Sequence, residues 1–276
     1  MSALTDDVQA DKCLEFQALH ESPDAFIIPN PWDVGSARIF QGLGFKALAT
    51  TSSGFAYTLG KNDGEPTLLE QLEHCRALAA ATEIPISVDF ENGYAASPEA
   101  VAANVSSLME TGVAGCSIED FDRDDKVLYE LPLAVERVAA AVEAVKGVGF
   151  PFMLTARAEH LLRGGSDLDE VITRLQAFES AGADVLYAPG ITRIEDLRVI
   201  TSAVSKPVNV LGVMMPNSSV ADFHAAGAKR ISIGGALTYA AVRPVIEFGE
   251  RMLNEGSFAW TSEMASGARI SELLAG

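Results

Sequence analysis

Short apolar and β-branched runs alternate with longer segments of helical period along most of the chain. This alternation is typical of repeated βα units that form a parallel sheet. Such a chain favours a (β/α)₈ barrel, and a doubly wound sheet built from the same units is the alternative architecture. The eight predicted strands are Ala25–Ile28, Ala47–Thr50, Ile86–Asp89, Gly115–Glu119, Phe152–Arg157, Val185–Ala188, Val208–Leu211 and Arg230–Ile233.

Capping residues indicate where helices begin and end between these strands. Asp33 is the predicted N-cap of a helix over Val34–Gln41, because a short acceptor side chain precedes the first helical positions. Ser97 followed by Pro98 predicts another helix start, and Gly112 predicts its end.

The segment after the eighth strand is longer than one barrel helix requires. Ala236–Leu253 would complete the barrel, and Thr261–Leu274 is predicted as a second amphipathic helix after a break at Gly256. We therefore expect one barrel domain over residues 1–276, with residues 257–276 as a C-terminal helical extension. This extension either folds back on its own barrel or packs on a partner subunit.

Composition narrows the class of protein. The 276 residues are 48% hydrophobic and carry 38 acidic against 20 basic side chains, which argues against nucleic acid or an anionic membrane surface as a partner. Cys13, Cys75 and Cys116 belong to no metal or disulfide motif and are expected to pack in the core. With no apolar run approaching the ~18 residues of a membrane span, a cytoplasmic protein is the expectation.

Two neighbouring strands are predicted to end in pairs of acids. Asp89 and Glu91 follow the third strand, and Glu119 and Asp120 follow the fourth. Because parallel strands end at the same edge of a barrel, these carboxylates would gather there and repel one another unless a cation joins them. Oxygen-only ligation suits Mg²⁺ rather than zinc, so the pattern favours a magnesium site over solvated loop acids.

Other polar residues are predicted at the same end of the barrel, where the active sites of this fold lie. A set that combines several acids with one arginine is unusual for loop ends chosen at random. Besides the four acids, the set consists of Asn30, Asp33, Ser53, Gly54, Asp63, Arg157, Glu159 and Asn209.

Four sequence blocks between Phe26 and Leu253 resemble those of the isocitrate lyase and phosphoenolpyruvate mutase superfamily. They occur in the family's order and at the matching barrel positions. The blocks are Thr51-Ser-Ser-Gly54 with Leu59-Gly60 and Asp63, Asp89-Phe-Glu-Asn-Gly-Tyr94, Ser117-Ile-Glu-Asp120, and Thr155-Ala-Arg-Ala-Glu159.

The resemblance implies a divalent cation, Mg²⁺ with Mn²⁺ as a possible replacement, bound directly by Asp89. It also implies that Ser53 and Gly54 hold the substrate carboxylate and that Arg157 binds an anionic group. In the family the metal chelates a 2-oxo acid and stabilises the enolate formed when a bond at C3 breaks. The acids implied to hold the water shell of the metal are Asp63, Glu91 and Glu119.

The chain departs from the family where the leaving group is handled. The lyases carry a Lys-Lys/Arg-Cys-Gly-His loop after the fourth strand, whereas residues 121–130 here contain neither cysteine nor histidine. The carbon–phosphorus branch carries a Lys-Thr-Asn type loop there and a histidine after the sixth strand, where this chain has Ala188-Pro189. The conceivable replacement acids are Lys126, Arg123 and Tyr187.

These considerations assign the candidate residues to three groups. The metal residues are Asp89, Glu91 and Glu119; the catalytic residues are Arg157, Glu119, Asp63 and Lys126; the substrate-binding residues are Ser53, Gly54, Arg157, Asn209 and Tyr94. The resemblance also implies a homo-oligomer, a dimer or a tetramer, because exchange of a terminal helix between subunits is common in the family.

Three functions remain open from the sequence. The leading hypothesis is a Mg²⁺-dependent lyase that cleaves a carbon–carbon bond in a small 2-oxo acid, or in an acid that releases one. The alternatives are a carbon–phosphorus mutase or hydrolase acting on phosphonopyruvate-like substrates, and a non-catalytic barrel that binds dicarboxylates.

Overall fold

The computed structural model describes residues 3–275, with side chains from residue 7 onward, and it contains eight parallel strands arranged as a nearly closed barrel. The predicted (β/α)₈ fold is confirmed, and the doubly wound sheet is excluded. Each predicted strand is present, with ends that agree or are shorter by one residue. The strands are β1 Phe26–Ile28, β2 Leu48–Ala49, β3 Ile86–Asp89, β4 Gly115–Glu119, β5 Met153–Arg157, β6 Val185–Tyr187, β7 Val208–Leu211 and β8 Arg230–Ser232.

Each strand of the barrel pairs with the next along the chain from β2 to β8, and β8 then pairs with β1. The seam between β1 and β2 is closed differently, by one backbone bond from Ala49 N to Pro29 O at 3.0 Å and by the side chain of Asn30. Asn30 donates to the carbonyl of Thr50 at 2.9 Å and accepts from two backbone N–H groups just after β8. One amide side chain thus joins three strands at the seam.

Helices cover the outside of the barrel, and the two predicted N-caps are confirmed, whereas the helix predicted to end at Gly112 ends at Met109. Asp33 accepts a hydrogen bond from Ser36 N at 2.7 Å, and Ser97 caps the helix that begins with Pro98. The helices are α1 Ala3–Glu21, α2 Val34–Gly42, α3 Ser52–Thr58, α4 Leu68–Ala81, α5 Pro98–Met109, α6 Leu131–Val145, α7 Leu168–Ala181, α8 Ile194–Ala203, α9 Val220–Ala225, α10 Ala236–Glu255 and α11 Gly267–Ala275, with short 3₁₀ turns at Gly212–Met214 and Ala259–Glu263.

Helix α1 lies across the amino ends of the strands and was not predicted. Its Cys13 and Phe16 are fully buried against the inner ends of the strands. Its polar side chains find backbone partners: Gln9 donates to the carbonyl of Val113 at 2.9 Å, and the ammonium of Lys12 donates to that of Thr82 at 2.7 Å. The helix therefore closes the bottom of the barrel with an apolar plug and a polar rim.

The three cysteines are free and buried, as expected of core residues. Within residues 3–275 no helix is both long and apolar enough to cross a membrane.

The predicted helix over Thr261–Leu274 is wrong in extent. A 3₁₀ turn ends at Glu263 and extended backbone follows at Met264, so the regular helix begins only at Gly267. The helix α11 then packs on α2, where the backbone of Leu273 lies so close to Gly42 that a side chain at position 42 has no room. The extension therefore contacts the barrel helix α2 of its own chain.

Candidate active site

Charged side chains from three neighbouring strands meet at the carboxyl end of the barrel. Arg157, the last residue of β5, places Nη1 2.7 Å from Oδ1 of Asp89, which ends β3. Its Nη2 lies 2.9 Å from Oε2 of Glu119, which ends β4, and 2.7 Å from Oε1 of Glu159. Three carboxylates hold different edges of one planar guanidinium, so its orientation is fixed.

Glu91, two residues after Asp89, lies in a turn of strained backbone. The φ angles of Glu91 and Tyr94 are 45° and 55°, in the left-handed region that favours glycine. The Glu91 carboxylate accepts from the Tyr94 hydroxyl at 3.1 Å and pairs with Arg123 at 3.0 Å. Burial raises the pKa of Glu91 to about 7; the charges of Asp89 and Asp63 add to this rise, and Arg123 opposes it.

A second group of acids lies beside the first. Burial and the charge of Glu159 raise the pKa of Glu119 well above its usual value, although Arg157 opposes the shift. Burial likewise raises the pKa of Asp120 to about 6, although its carboxylate accepts from the backbone of Glu159 at 2.8 Å and from Arg174 at 3.1 Å. Several carboxyl groups with raised pKa values lie at one end of the fold, which indicates that this end is a candidate functional site.

A cavity of about 180 Å³ opens between the ends of the strands. It is smaller than the ~300–1,000 Å³ typical of sites for drug-sized ligands, so it suits a small acid. Its charged lining residues are Asp63, Asp89, Arg157 and Arg230, and Ser53 and Asn209 also line it. A larger groove of about 610 Å³ lies beside α1 at the other end of the barrel, away from these acids.

The loop after β2 brings Ser53 to the cavity through the short helix α3. Thr51 caps this helix: its hydroxyl accepts from Gly54 N at 3.4 Å and lies 3.2 Å from the Ser53 hydroxyl. Gly54 is buried and does not line the cavity, and a Cβ there would lie 2.6 Å from Thr238 Oγ1. Ser52 N donates to Asp89 Oδ2 at 3.1 Å, so α3 also orients the carboxylate of Asp89.

The residues at this end of the barrel fit a hard divalent cation. The carboxylates that line the cavity, those of Asp63 and Asp89, offer oxygen donors, and after burial their negative charges contribute to the raised pKa of neighbouring Glu91. No group of three or more His, Cys, Asp or Glu side chains in the described part of the chain is arranged to hold a metal by itself. A cation here would therefore take most of its ligands from substrate and water, as Mg²⁺ commonly does.

Several residues assigned from the sequence lie outside the cavity lining. Glu91 and Glu119 are buried beside it and paired with arginines, and Tyr94 contacts Glu91. Lys126 is exposed in the loop after β4, with a φ of 59°. Arg123 from the same loop is tied to Glu91 and to the carbonyls of Gly64 and Pro66. Of the conceivable acids, Tyr187 is the one that lines the cavity.

Arg230 lines the cavity and was missed as a site residue. It begins β8, and its guanidinium donates to Asn209 Oδ1 at 2.8 Å and to Thr155 Oγ1 at 3.1 Å. The available signal was an arginine at the first position of the predicted eighth strand. Only the alternation of inward and outward positions, which depends on where the strand starts, shows that its side chain enters the barrel.

Comparison with known proteins identifies the class of this barrel. Residues 16–253 match the family described as phosphoenolpyruvate phosphomutase. The chain belongs to this family, within the isocitrate lyase and phosphoenolpyruvate mutase superfamily.

Individual relatives agree with this membership. An uncharacterized protein of Mycobacterium tuberculosis is 31% identical over 244 residues, covering 88% of this chain and 90% of that protein. The oxaloacetate decarboxylase of Bradyrhizobium sp. is 30% identical over 223 residues, 78% of this chain and 75% of that enzyme. A crystal structure from Burkholderia cenocepacia, provisionally described as a lyase or mutase, is 44% identical over 98% of both chains with a TM-score of 0.93.

Proposed function

We propose that this protein is a Mg²⁺-dependent lyase that cleaves a carbon–carbon bond in a small 2-oxo acid, or in an acid that releases one. The observation that carries the proposal is the contact of 2.7 Å between Asp89 and Arg157 on the wall of a cavity only about 180 Å³ in size. Ser53 and Asp63 line the same cavity. This combination offers a cation position, a fixed positive charge and hydroxyl donors to one small anion.

In this proposal Asp89 holds the cation, and Asp63, Glu91 and Glu119 hold its water shell. When bound, Mg²⁺, or Mn²⁺ in its place, would supply positive charge that stabilises the negative charge developing on the oxo oxygen as the bond at C3 breaks. Ser52 N already donates to one oxygen of Asp89, which leaves that carboxylate oriented before substrate arrives.

Arg157 has the role of a rigid anion-binding group. Its three carboxylate partners restrain the guanidinium, so it contributes a permanent charge without reorganising when the substrate binds. The hydroxyl of Ser53, held near Thr51, would donate to the carboxylate of the oxo-acid head. Together these groups orient the bond to be broken.

Among the possible reactions, decarboxylation of an oxo acid with a second carboxylate agrees best with the few proton donors at the cavity. Breaking the bond to a CO₂ leaving group leaves the electron pair on the substrate and requires no proton at that step. Afterwards C3 needs one proton, and Tyr187 lines the cavity with its pKa raised to about 12 by burial, so it is protonated at neutral pH. The similarity to an oxaloacetate decarboxylase supports this choice.

The proposal extends to a homo-oligomer. Helix α10 exposes apolar side chains along much of its length, including Val245, Ile246 and Leu253, which are 65%, 57% and 85% exposed. An exposed apolar helix of this length is typical of a subunit interface. Light scattering after size exclusion is expected to give a dimer or tetramer, and Val245→Glu combined with Leu253→Glu is expected to dissociate it. A wild-type monomer would contradict this extension of the proposal.

The activity is tested with a panel of 2-oxo, 2-hydroxy and phosphono acids, assayed with Mg²⁺ and with EDTA while pyruvate, CO₂ and phosphate are measured together. Metal-dependent pyruvate or CO₂ without phosphate supports a carbon–carbon lyase. Phosphate released from phosphonopyruvate would instead indicate carbon–phosphorus chemistry. Binding of oxalate without turnover of any member would indicate a dicarboxylate-binding barrel.

A further inference from the structure

Two arginines and two glutamates form a closed ring of charges beside the cavity. Arg157 Nη2 lies 2.9 Å from Oε2 of Glu119 and 2.7 Å from Oε1 of Glu159. Arg163, in the turn after β5, places its own Nη2 3.5 Å from Oε1 of Glu119 and 3.1 Å from Oε2 of Glu159. Each glutamate therefore lies between two guanidiniums, with Arg157 at one carboxylate oxygen and Arg163 at the other.

Glu159 is fully buried, and its two carboxylate oxygens have different partners. Oε1 accepts from Nε and Nη2 of Arg157 at 2.9 and 2.7 Å. Oε2 accepts no hydrogen bond within the described part of the chain, so the guanidinium of Arg163 at 3.1 Å is the positive charge that faces it. A buried carboxylate that loses one of its counter-charges is strongly unfavourable, and the group then has to move or take up water.

The charges around Arg157 are far from balanced without Arg163. Arg157 contacts the carboxylates of Asp89, Glu119 and Glu159, so on its own it would leave an excess of two negative charges in this group. Arg163 reduces the excess to one. A small negative excess is compatible with a site that takes up a cation and an anion together, whereas a larger one would favour the cation and disfavour the anion.

Arg163 also contacts the loop after β4. Its guanidinium lies over the ring of Phe121, 3.7 Å from the ring centroid, and Phe121 pairs with Leu128 at the base of that loop. The side chain of Arg163 is 37% exposed, against 11% for Arg157. Stacking on the ring of Phe121 restrains the guanidinium of Arg163 against the two glutamates although part of it faces solvent.

We propose that Arg163 is a positioning residue for Arg157. It neutralises Glu119 and Glu159 at their second oxygens, which keeps both carboxylates fixed as partners of Arg157, and it limits the negative charge that an anion in the cavity would meet. Arg163 does not line the cavity, so it acts through the two glutamates and not by touching the substrate. This inference rests on the proposed function, in which Arg157 binds the anionic group.

The first test observes Arg157 without any ligand. Its Nε–H donates to Glu159 at 2.9 Å, so it should give a ¹⁵N–¹H signal that exchanges slowly with water, and Arg157→Lys assigns this signal by its loss. In Arg163→Met the exchange is expected to be about tenfold faster or more, because Glu159 is then free to turn away. Arg163→Lys keeps the charge and is expected to restore much of the protection.

Ligand affinities separate the charge of Arg163 from a general effect on the fold. Loss of a positive charge near the cavity should change the affinities for a cation and for an anion in opposite directions. In Arg163→Met we expect the affinity for oxalate at saturating Mg²⁺ to fall about fivefold or more, and the affinity for Mg²⁺ alone to rise about twofold or more. Arg193→Met, which removes an exposed arginine paired with Glu195, is the matched control and should keep the wild-type values.

Three results would overturn the inference. One is an unchanged exchange rate of the Arg157 Nε–H in Arg163→Met. Another is a fall in the affinities for both Mg²⁺ and oxalate in that variant, which would show that Arg163 only maintains the loops. The third is an Arg163→Lys variant as defective as Arg163→Met, because the charge at this position would then have no role. A wild type that binds neither Mg²⁺ nor oxalate would overturn the proposed function instead, and the exchange rates would still decide this inference.

Discussion

The two ends of the barrel are built on opposite principles. At the bottom, α1 places Cys13 and Phe16 into an apolar cluster, and its buried polar groups meet backbone carbonyls. At the mouth, carboxylates and guanidiniums fill the space, and burial raises the pKa of Glu91 to about 7 and that of Glu119 well above its usual value.

The difference shows which end of the barrel stabilises the fold and which end carries the candidate active site. Apolar burial at the bottom stabilises the fold without needing any ligand. Clustered carboxylates at the mouth repel one another, which costs stability and favours the binding of a cation. Variants at the two ends are therefore expected to separate activity from stability.

The largest expected effect is that of Asp89→Ala at the mouth. It removes the cavity carboxylate that contacts Arg157 and should lower turnover at least about 10³-fold, together with Mg²⁺ binding. Titration calorimetry with Mg²⁺ and the acid panel measure the two losses. Asp24→Ala, at an exposed carboxylate near the bottom, is the control. Wild-type Mg²⁺ affinity in Asp89→Ala would rule out Asp89 as the metal ligand.

At the bottom, Phe16→Ala is expected to reduce stability and leave the site intact. Phe16 is fully buried, so its truncation should lower the free energy of unfolding by about 3–5 kcal/mol. Denaturant titration gives this value, and the Mg²⁺ affinity of the folded protein should not change. Leu14→Ala on the exposed face of the same helix should change stability by less than about 0.5 kcal/mol. A large loss of Mg²⁺ affinity in Phe16→Ala would show that the two ends are coupled.

The pH dependence of stability should differ between the two ends. Burial and the charge of Arg230 lower the pKa of His20 from 6.5 to about 3. As pH falls below 6.5 the unfolded chain gains a proton at His20 that the folded chain does not bind, so stability decreases, by about 2 kcal/mol between pH 6.5 and 5. Glu91 acts in the opposite sense, because its raised pKa makes the metal-free protein less stable as pH rises from 4.5 to about 7.

The variant His20→Leu isolates the contribution of His20 from that of the acids. Between pH 6.5 and 5, the free energy of unfolding of the wild type should decrease by about 2 kcal/mol more than that of His20→Leu. Denaturant titrations at several pH values, without metal, measure the two slopes. Equal slopes would show that His20 binds its proton alike in the folded and unfolded chains.

The smallest expected effect is that of Lys12, a polar residue of α1 at the amino end of the barrel. The Lys12 ammonium donates to the carbonyls of Ala79 and Thr82 at the end of α4, so Lys12→Met should lower the free energy of unfolding by about 1–2 kcal/mol. Lys146→Met, which breaks only the exposed pair with Glu143, should cost less than about 0.5 kcal/mol. Similar losses in both variants would contradict the role of Lys12 in closing the barrel.

Sequence reasoning succeeded where local pattern determines structure. Apolar runs ending in acids identified the strands that carry Asp89 and Glu119, and the caps at Asp33 and Ser97 follow from side chains that bond their own helix starts. It failed for α1, because three of the five described residues on its buried face, Gln9, Lys12 and His20, are polar, so the apolar pattern of the sequence does not show the helical period.

Contacts between distant elements were also beyond prediction. The pairing of Glu91 with Arg123 depends on the path of the loop after β4, and the position of Arg230 depends on strand register. The ligands of Arg157 come from two neighbouring strands and one loop, so only the folded barrel assembles them.

The seam at Asn30 makes the ring of strands uneven in mechanical strength. Where other neighbouring strands share a ladder of backbone bonds, β1 and β2 depend on one such bond and one amide side chain. Under force or in slow local opening, the ring should part there before any other strand pair separates. Asn30 also lines the cavity. An acid bound there that contacts the neighbours of Asn30 would therefore stabilise the contact between β1 and β2, the weakest strand pair of the barrel.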